Sequence, residues 1–438
     1  MSIKLNKKIK NNTYKNAIFQ GVSIFIGFYM YPLLMGYIDN TTLGIWFTLI
    51  SLASWFTLLD VGISNGLRNK LSSLIIANKI KLARVYISST YFYFSAIITL
   101  VFIVGNAVIS SLNLDILLNV ESGSISNLNL SVCLVFSTVL LNLLFTINNS
   151  LANAQHNSSF SNYRLFIYSV AMIVSIIFMS SFKNGSLLKL SCIYFGVNML
   201  SNVLTTIQLY IKNTEFLPTY KLISFKHFKT NIKKSLDFFI INISSVVMFS
   251  TDTFLITHFL GPESVVAYTM TMKVLVLFLT LLWLYTGTLW SAYTDSYIRK
   301  DFVWIQRTLK RTISISFFLI IAMAIVAYNF DIILQLWVKT DFYYDPSLVL
   351  CIFLVVSLRI WNGNFSTLLN GVGKTLVQKN SGIVSTLVNI PLSIFLMRDM
   401  GMGSEGVALG TAFSLSLFAI LGPVFTWKFI NEELNIEN

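Results

Sequence analysis

Apolar runs, each about as long as a bilayer is thick, recur along the whole chain with short polar breaks between them. A helix needs roughly 20 consecutive apolar residues to cross the hydrocarbon core. On that template the pattern predicts spans over Ala17–Ile38, Thr42–Leu59, Tyr86–Ser110, Asn129–Ile147, Leu165–Phe182 and Leu187–Ile211. A polar, basic stretch follows at Lys212–Leu236. Six further spans are predicted over Phe238–Phe259, Val265–Trp290, Ile313–Phe330, Leu348–Leu369, Leu376–Met397 and Gly406–Phe429. The eleventh is the weakest, because Gln378 and Lys379 sit near its start. Several spans end near an aromatic of the kind that favours the membrane interface: Tyr37, Trp46, Tyr86, Tyr268, Trp290 and Trp427.

The expected architecture is all-α and integral to the membrane. About twelve spanning helices form two six-helix bundles, an N-terminal lobe over 1–211 and a C-terminal lobe over 237–438, joined by a linker at 212–236. Shifting the first half by 222 residues lays Tyr37–Asn40 on Phe259–Pro262 and Trp46 on Tyr268. Six is even, so such a repeat is parallel, with both lobes oriented alike. Chance likeness between apolar helices is the alternative.

Composition agrees with this class. Of the 438 residues 55% are hydrophobic and only 11% charged, against about 25% charged in soluble domains. The charges also alternate. Bases gather in the N-terminal tail (Lys4, Lys7, Lys8, Lys10, Lys15) and in the second–third connection (Arg68, Lys70, Lys79, Lys81, Arg84). They gather again in the sixth–seventh (Lys221, Lys226, Lys229 among others) and eighth–ninth connections (Arg299, Lys300, Arg307, Lys310, Arg311). The connections between these are poor in base, which places both termini in the cytoplasm. The net charge of +13 then reflects topology and contact with lipid head groups rather than nucleic-acid binding. The first helix reads as a signal anchor, since a spanning run follows the basic start without a cleavage site.

Catalytic chemistry finds no foothold. His156, His227 and His258 are scattered, without metal-ligand spacing, and Cys133, Cys192 and Cys351 all fall inside apolar runs. Gly371-Val372-Gly373-Lys374-Thr375 resembles the end of a phosphate-binding loop, but Leu368 stands where its first glycine belongs. A tight turn between two membrane helices explains it better. No metal or cofactor is expected, and no enzymatic activity; movement of a solute through or across the bilayer is.

Charges inside spans carry the sharpest functional signal, because an unpaired charge at the bilayer centre costs several kcal/mol. They are Asp252, Lys273 and Arg359. Asp252 and Lys273 flank the turn at Gly261-Pro262 by about equal lengths of helix, so a hairpin would bring them together near the midplane. They form either a structural ion pair or part of a cavity, in which Lys273 attracts an anion and Asp252 exchanges it for a cation or proton. Arg359 leans the cavity towards anions.

The segment Tyr31–Lys79, and within it Leu59-Asp60-Val61-Gly62-Ile63-Ser64-Asn65-Gly66-Leu67-Arg68-Asn69-Lys70, resembles the Wzx-type polysaccharide-unit flippases, which share a superfamily with the MATE exporters. Further matches lie at Thr251–Tyr268 and at Leu369–Lys374. The resemblance implies transfer of an undecaprenyl-diphosphate-linked oligosaccharide from the cytoplasmic to the outer leaflet of the bacterial inner membrane, by alternating access coupled to an ion, for O-antigen or another surface polysaccharide. It implies membrane lipids and other polysaccharide-assembly proteins as partners. It also adds Asp60, Asn65 and Arg68, at the cytoplasmic mouth, to Asp252, Lys273 and Arg359 as translocation residues. Two rivals stand beside it. A MATE-type exporter of cationic drugs would favour acids in its cavity, and a membrane polysaccharide polymerase would carry a larger outward loop.

Overall fold

The computed structural model describes residues 2–437 apart from 57–59, 61–62, 156, 158, 181–184, 234–245, 247–249 and 339–344. Its regular elements among the described residues are all helical. The chain divides into two units, Met1–Ile240 and Ile241–Asn438.

In unit 1 the helices are α1 (Ser2–Tyr37), α2 (Asn40–Phe56), α3 (Ile63–Ile76), α4 (Ile80–Ser111), the short α5 (Leu114–Leu117), α6 (Leu128–Ala154), α7 (Ser159–Ser180), α8 (Leu187–Lys212) and α9 (Phe225–Lys233). Unit 2 begins with a helical stretch over 250–260. It continues with α10 (Pro262–Ile298), α11 (Phe302–Tyr328), α12 (Phe330–Trp337), α13 (Pro346–Val372), α14 (Leu376–Ile394) and α15 (Gly403–Glu437).

Among the described residues, ten helices are long and apolar enough to cross a membrane. The second predicted span corresponds to α2, at 17 residues. The seventh lies partly outside the described residues and ends in the helix over 250–260. Ten of the twelve predicted spans are thus found among the described residues, and this is a multi-pass, all-α membrane protein.

Its surface has the polarity that lipid demands. Phe317, Phe318, Ile321 and Ile325 of α11 are more than half exposed, as are Leu100, Ile103 and Val104 of α4. Apolar faces this continuous do not meet water in soluble monomers. The interior is rich in buried Ser, Thr and Asn instead. Many of these hydroxyls bond back to the carbonyl one turn earlier, as Thr138 does to Leu134 (2.7 Å) and Ser381 to Val377 (2.7 Å). With no water available in hydrocarbon, such internal partners satisfy the polar groups of spanning helices.

The two units repeat one packing scheme. In unit 1, α6 packs on α8, α4 and α3, α7 packs on α8, and α3 on α4. Six spans later the equivalents recur: α13 packs on α15, α11 and α10, α14 packs on α15, and α10 on α11. Recurrence at an interval of six spans is what a parallel repeat of two six-helix bundles produces.

Several boundaries differ from expectation. The stretch after the second span is a helix, not a connection. Its Ile63, Leu67, Leu71 and Leu74 repeat at helical spacing and sit in the core of unit 1 with Ala83, Ile87 and Phe136. The charges of Arg68 and Lys70 mask that apolar stripe in the sequence. The ninth span starts earlier than predicted: Asp301 caps α11 by accepting the Trp304 amide at 2.9 Å, so Arg307, Lys310 and Arg311 lie within the helix.

The loop that resembles a phosphate-binding motif is a helix ending. Gly373 adopts φ 75°, where a side chain would be strained, and the Lys374 amide bonds back to the Leu369 carbonyl at 2.9 Å. Gly371 has a different reason to be glycine. A Cβ there would meet Tyr293 Cβ at 2.8 Å and the Trp290 carbonyl at 2.9 Å. Its absence lets α13 lie directly on α10, where the Thr294 hydroxyl donates to the Gly371 carbonyl at 2.7 Å. Small residues at such crossings are how membrane helices gain close packing.

Candidate functional site

Unit 2 holds a buried polar centre built from five helical segments. Asp252, in the helix over 250–260, is 3% exposed. The Tyr268 hydroxyl of α10 donates to its Oδ2 at 2.7 Å. The Thr411 hydroxyl of α15 lies 3.1 Å from both carboxylate oxygens. Asn389 of α14 donates from Nδ2 to the Thr411 hydroxyl at 2.9 Å, behind the carboxylate. Arg359 of α13 acts electrostatically on both Asp252 and Tyr268. It is the middle residue of its 27-residue helix, roughly 20 Å from either end at 1.5 Å per residue. Its guanidinium also lies 6.0 Å from the centre of the Trp283 ring.

Hydroxyl donors alone suit an anionic acceptor, and they leave the carboxylate its charge to attract a cation or proton. The site therefore combines an acid able to take up a positive species with a base able to attract a negative one. Asn389 Oδ1, on the side chain that bonds Thr411, is buried there without a protein partner.

The partner expected for Asp252 was Lys273; the structure puts Tyr268 there. Helix geometry gives the reason. Residues 268 and 273 are five apart on α10, or about 140° around its axis at 3.6 residues per turn. Turning Tyr268 inward turns Lys273 away, and Lys273 is exposed. Tyr268 is likewise not an interfacial aromatic, since it is 3% exposed. Its phenol serves the buried acid.

In unit 1, Asp60 accepts from Ser64 through both amide (3.2 Å) and hydroxyl (2.8 Å), fixing the start of α3. The Ser64 hydroxyl also lies 2.7 Å from the Thr146 hydroxyl of α6, and the Ser64 carbonyl accepts from Ser150 at 2.8 Å. These bonds anchor α3 to α6. Arg68 is exposed, and the Lys70 ammonium lies 5.4 Å from the centre of the Tyr86 ring. The side chain of Asn65 lies outside the described residues, as do Val61 and Gly62.

Whole-chain comparison places this architecture. An inward-facing multidrug-resistance MATE transporter of the MOP superfamily superposes with a TM-score of 0.77, at 12% identity, covering 96% of this chain and 96% of that one. The inward closed lipid II flippase MurJ gives 0.73 at 16% identity, over 94% of this chain and 87% of that one. The fold is that of the MOP-superfamily transporters. In sequence, a Yersinia pseudotuberculosis protein provisionally named for O-antigen export is 22% identical over 374 residues, 81% of each chain. No family model matches the chain.

Four residues escaped the sequence reading. Tyr268, Asn389 and Thr411 are common residues whose relevance rests on which way each helix faces. Arg164 was placed just outside the fifth span, at Leu165. In the structure α7 begins at Ser159, so Arg164 lies more than a full turn inside the helix.

Proposed function

We propose that the chain is a polysaccharide-unit flippase of the Wzx type. It moves an undecaprenyl-diphosphate-linked oligosaccharide from the cytoplasmic to the outer leaflet of the bacterial inner membrane, with both termini in the cytoplasm. The observation that carries this reading is the buried acid–base centre, Asp252 with Arg359, inside a MOP-type fold. The O-antigen export protein that aligns over most of both chains points to the same cargo.

In this mechanism Arg359 offsets the desolvation of the diphosphate while the prenyl tail stays in lipid. Asp252 couples transfer to an ion. With Asp252 charged, Arg359 is held by its neighbour. With a cation or proton on Asp252, the attraction between the two weakens and Arg359 acts more strongly on the cargo. Each ligand thus shifts the balance between two states of the site, as alternating access requires. Lys273 joins Arg359 in offsetting the diphosphate charge, Arg68 and Lys70 at the cytoplasmic mouth gather the anionic head group, and Asp60 holds α3 in place beside it. The two six-helix lobes, joined by the 212–236 linker, are the bodies that rock. Other polysaccharide-assembly proteins receive the flipped unit.

The test is the phenotype of cells deleted for this chain. Loss of surface polymer, restored by the wild-type chain, supports the flippase. Hypersensitivity to cationic drugs with normal polymer would mark a drug exporter, and polymer reduced to single units would mark a polymerase.

A further inference from the structure

Unit 1 contains a half-buried cation that the mechanism above does not use. Arg164 of α7 is half-buried, and its Nε is fully enclosed without a hydrogen-bond partner. The groups that act electrostatically on it are the phenols of Tyr168 and Tyr194. The carboxylates of this unit among the described residues are Asp39, Asp60, Asp115, Glu121 and Glu215. Asp39 is engaged with Thr42 and Asp60 with Ser64, and none of the five acts on Arg164.

The surroundings are built rather than accidental. Tyr194, Asn198, Asn202 and Thr206 recur every four residues and form one polar stripe along α8. A directional chain of amides runs from the guanidinium. Arg164 donates to Asn202 Oδ1 (3.3 Å), Asn202 to Asn142 Oδ1 (2.5 Å), Asn142 to Asn198 Oδ1 (3.1 Å), and Asn198 to the Tyr194 carbonyl (2.8 Å). Every bond points away from the arginine. The network fixes its position and uses one of its five N–H donors. Asn202 is wholly buried, while Arg164, Tyr168, Tyr194 and Asn142 each keep part of their surface accessible. Tyr168 and Trp46 pack edge-on to Tyr194, at 6.3 and 5.4 Å between ring centres.

A guanidinium whose Nε is enclosed without a partner is poorly satisfied by neutral amides and phenols alone, and an anion would meet that need. Its planar fork matches the two oxygens of a phosphate or carboxylate. We propose that Arg164, held by Asn142 and Asn202 and walled by Tyr168 and Tyr194, is an oxyanion-binding site in unit 1. The oxyanion is either the diphosphate of the lipid carrier or a carboxylate on a sugar of the cargo. That choice of source rests on the flippase reading; the site itself does not.

Binding is measured on the purified full chain in detergent, by the shift of its thermal unfolding midpoint against inorganic diphosphate, glucuronate and neutral glucose. The wild type should be stabilised by one of the anions and not by glucose. Diphosphate alone identifies the carrier head group, and glucuronate alone an acidic sugar. Arg164→Gln should weaken that anion at least tenfold, and Arg164→Lys by less. If the Gln variant does not accumulate, the Lys variant decides, since a point charge cannot replace the fork. No response in the wild type, or wild-type affinity in the variant that folds, overturns the proposal. Anion binding that depends on Arg164, in a chain whose deletion leaves surface polymer normal, would keep the site and refute the cargo.

Discussion

Tyr268→Phe removes one oxygen from the centre of unit 2 and leaves the ring that packs there. The lost contact is the 2.7 Å hydrogen bond to Asp252 Oδ2, while Thr411 continues to donate at 3.1 Å. A hydrogen bond to a charged acceptor contributes about 1.5–3 kcal/mol, and one between neutral groups about 0.5–1.5 kcal/mol. The same substitution made in an Asp252→Asn background meets a neutral acceptor of similar shape. The cost of Tyr268→Phe should therefore drop by about 1–1.5 kcal/mol between the two backgrounds. That coupling measures the charge on Asp252. The assay is reversible unfolding in mixed micelles for the wild type, both single variants and the double variant. Equal costs in the two backgrounds would mean that no ionised carboxylate sits at this centre, and the proposed exchange of a cation at Asp252 would fall with it.

Arg359→Leu should abolish polymer export while the protein inserts and accumulates normally, as judged by membrane fractionation beside the export assay. Gly371→Leu forces a side chain against Tyr293 and Trp290 and should destabilise unit 2 by about 1–3 kcal/mol. Gly363→Ala, whose added Cβ would sit 3.6 Å from Leu282, should be tolerated in the same thermal scan. Asp345, at the start of α13, has its carboxyl held below the ordinary range by hydrogen bonds from Ser347. A depressed folded-state value gives stability that is present above the unfolded value of about 4 and lost as pH falls through the folded one. Asp345→Asn should therefore lower stability modestly at neutral pH, where the charged carboxylate contributes, and flatten the acid limb below about pH 4, where wild type and variant converge.

The spans were legible because a bilayer imposes a length and a composition that each apolar run reports directly. Asp252 and Arg359 were legible for the same reason: charge stands out against hydrocarbon. What the sequence concealed is azimuth. Whether Tyr268 or Lys273 meets Asp252 depends on how α10 is rotated, and a helix apolar on every side leaves no stripe to read. α3 was hidden the opposite way, its core positions Ile63, Leu67, Leu71 and Leu74 interleaved with the charges of a basic connection. Arg164 was lost at a boundary, where a helix end misplaced by six residues moves a half-buried cation into a loop. Asn142, Asn198 and Asn202 gave no separate signal, because asparagine is abundant in this chain and only the facing of α6 and α8 selects these three.

The central claim is tested most directly by the leaflet location of the lipid-linked oligosaccharide in cells deleted for this chain and then complemented. Accumulation on the cytoplasmic side in the deletion strain, with outward transfer restored by the wild-type chain and not by Arg359→Leu, is the predicted result. Normal arrival of the unit in the outer leaflet without the protein would contradict it.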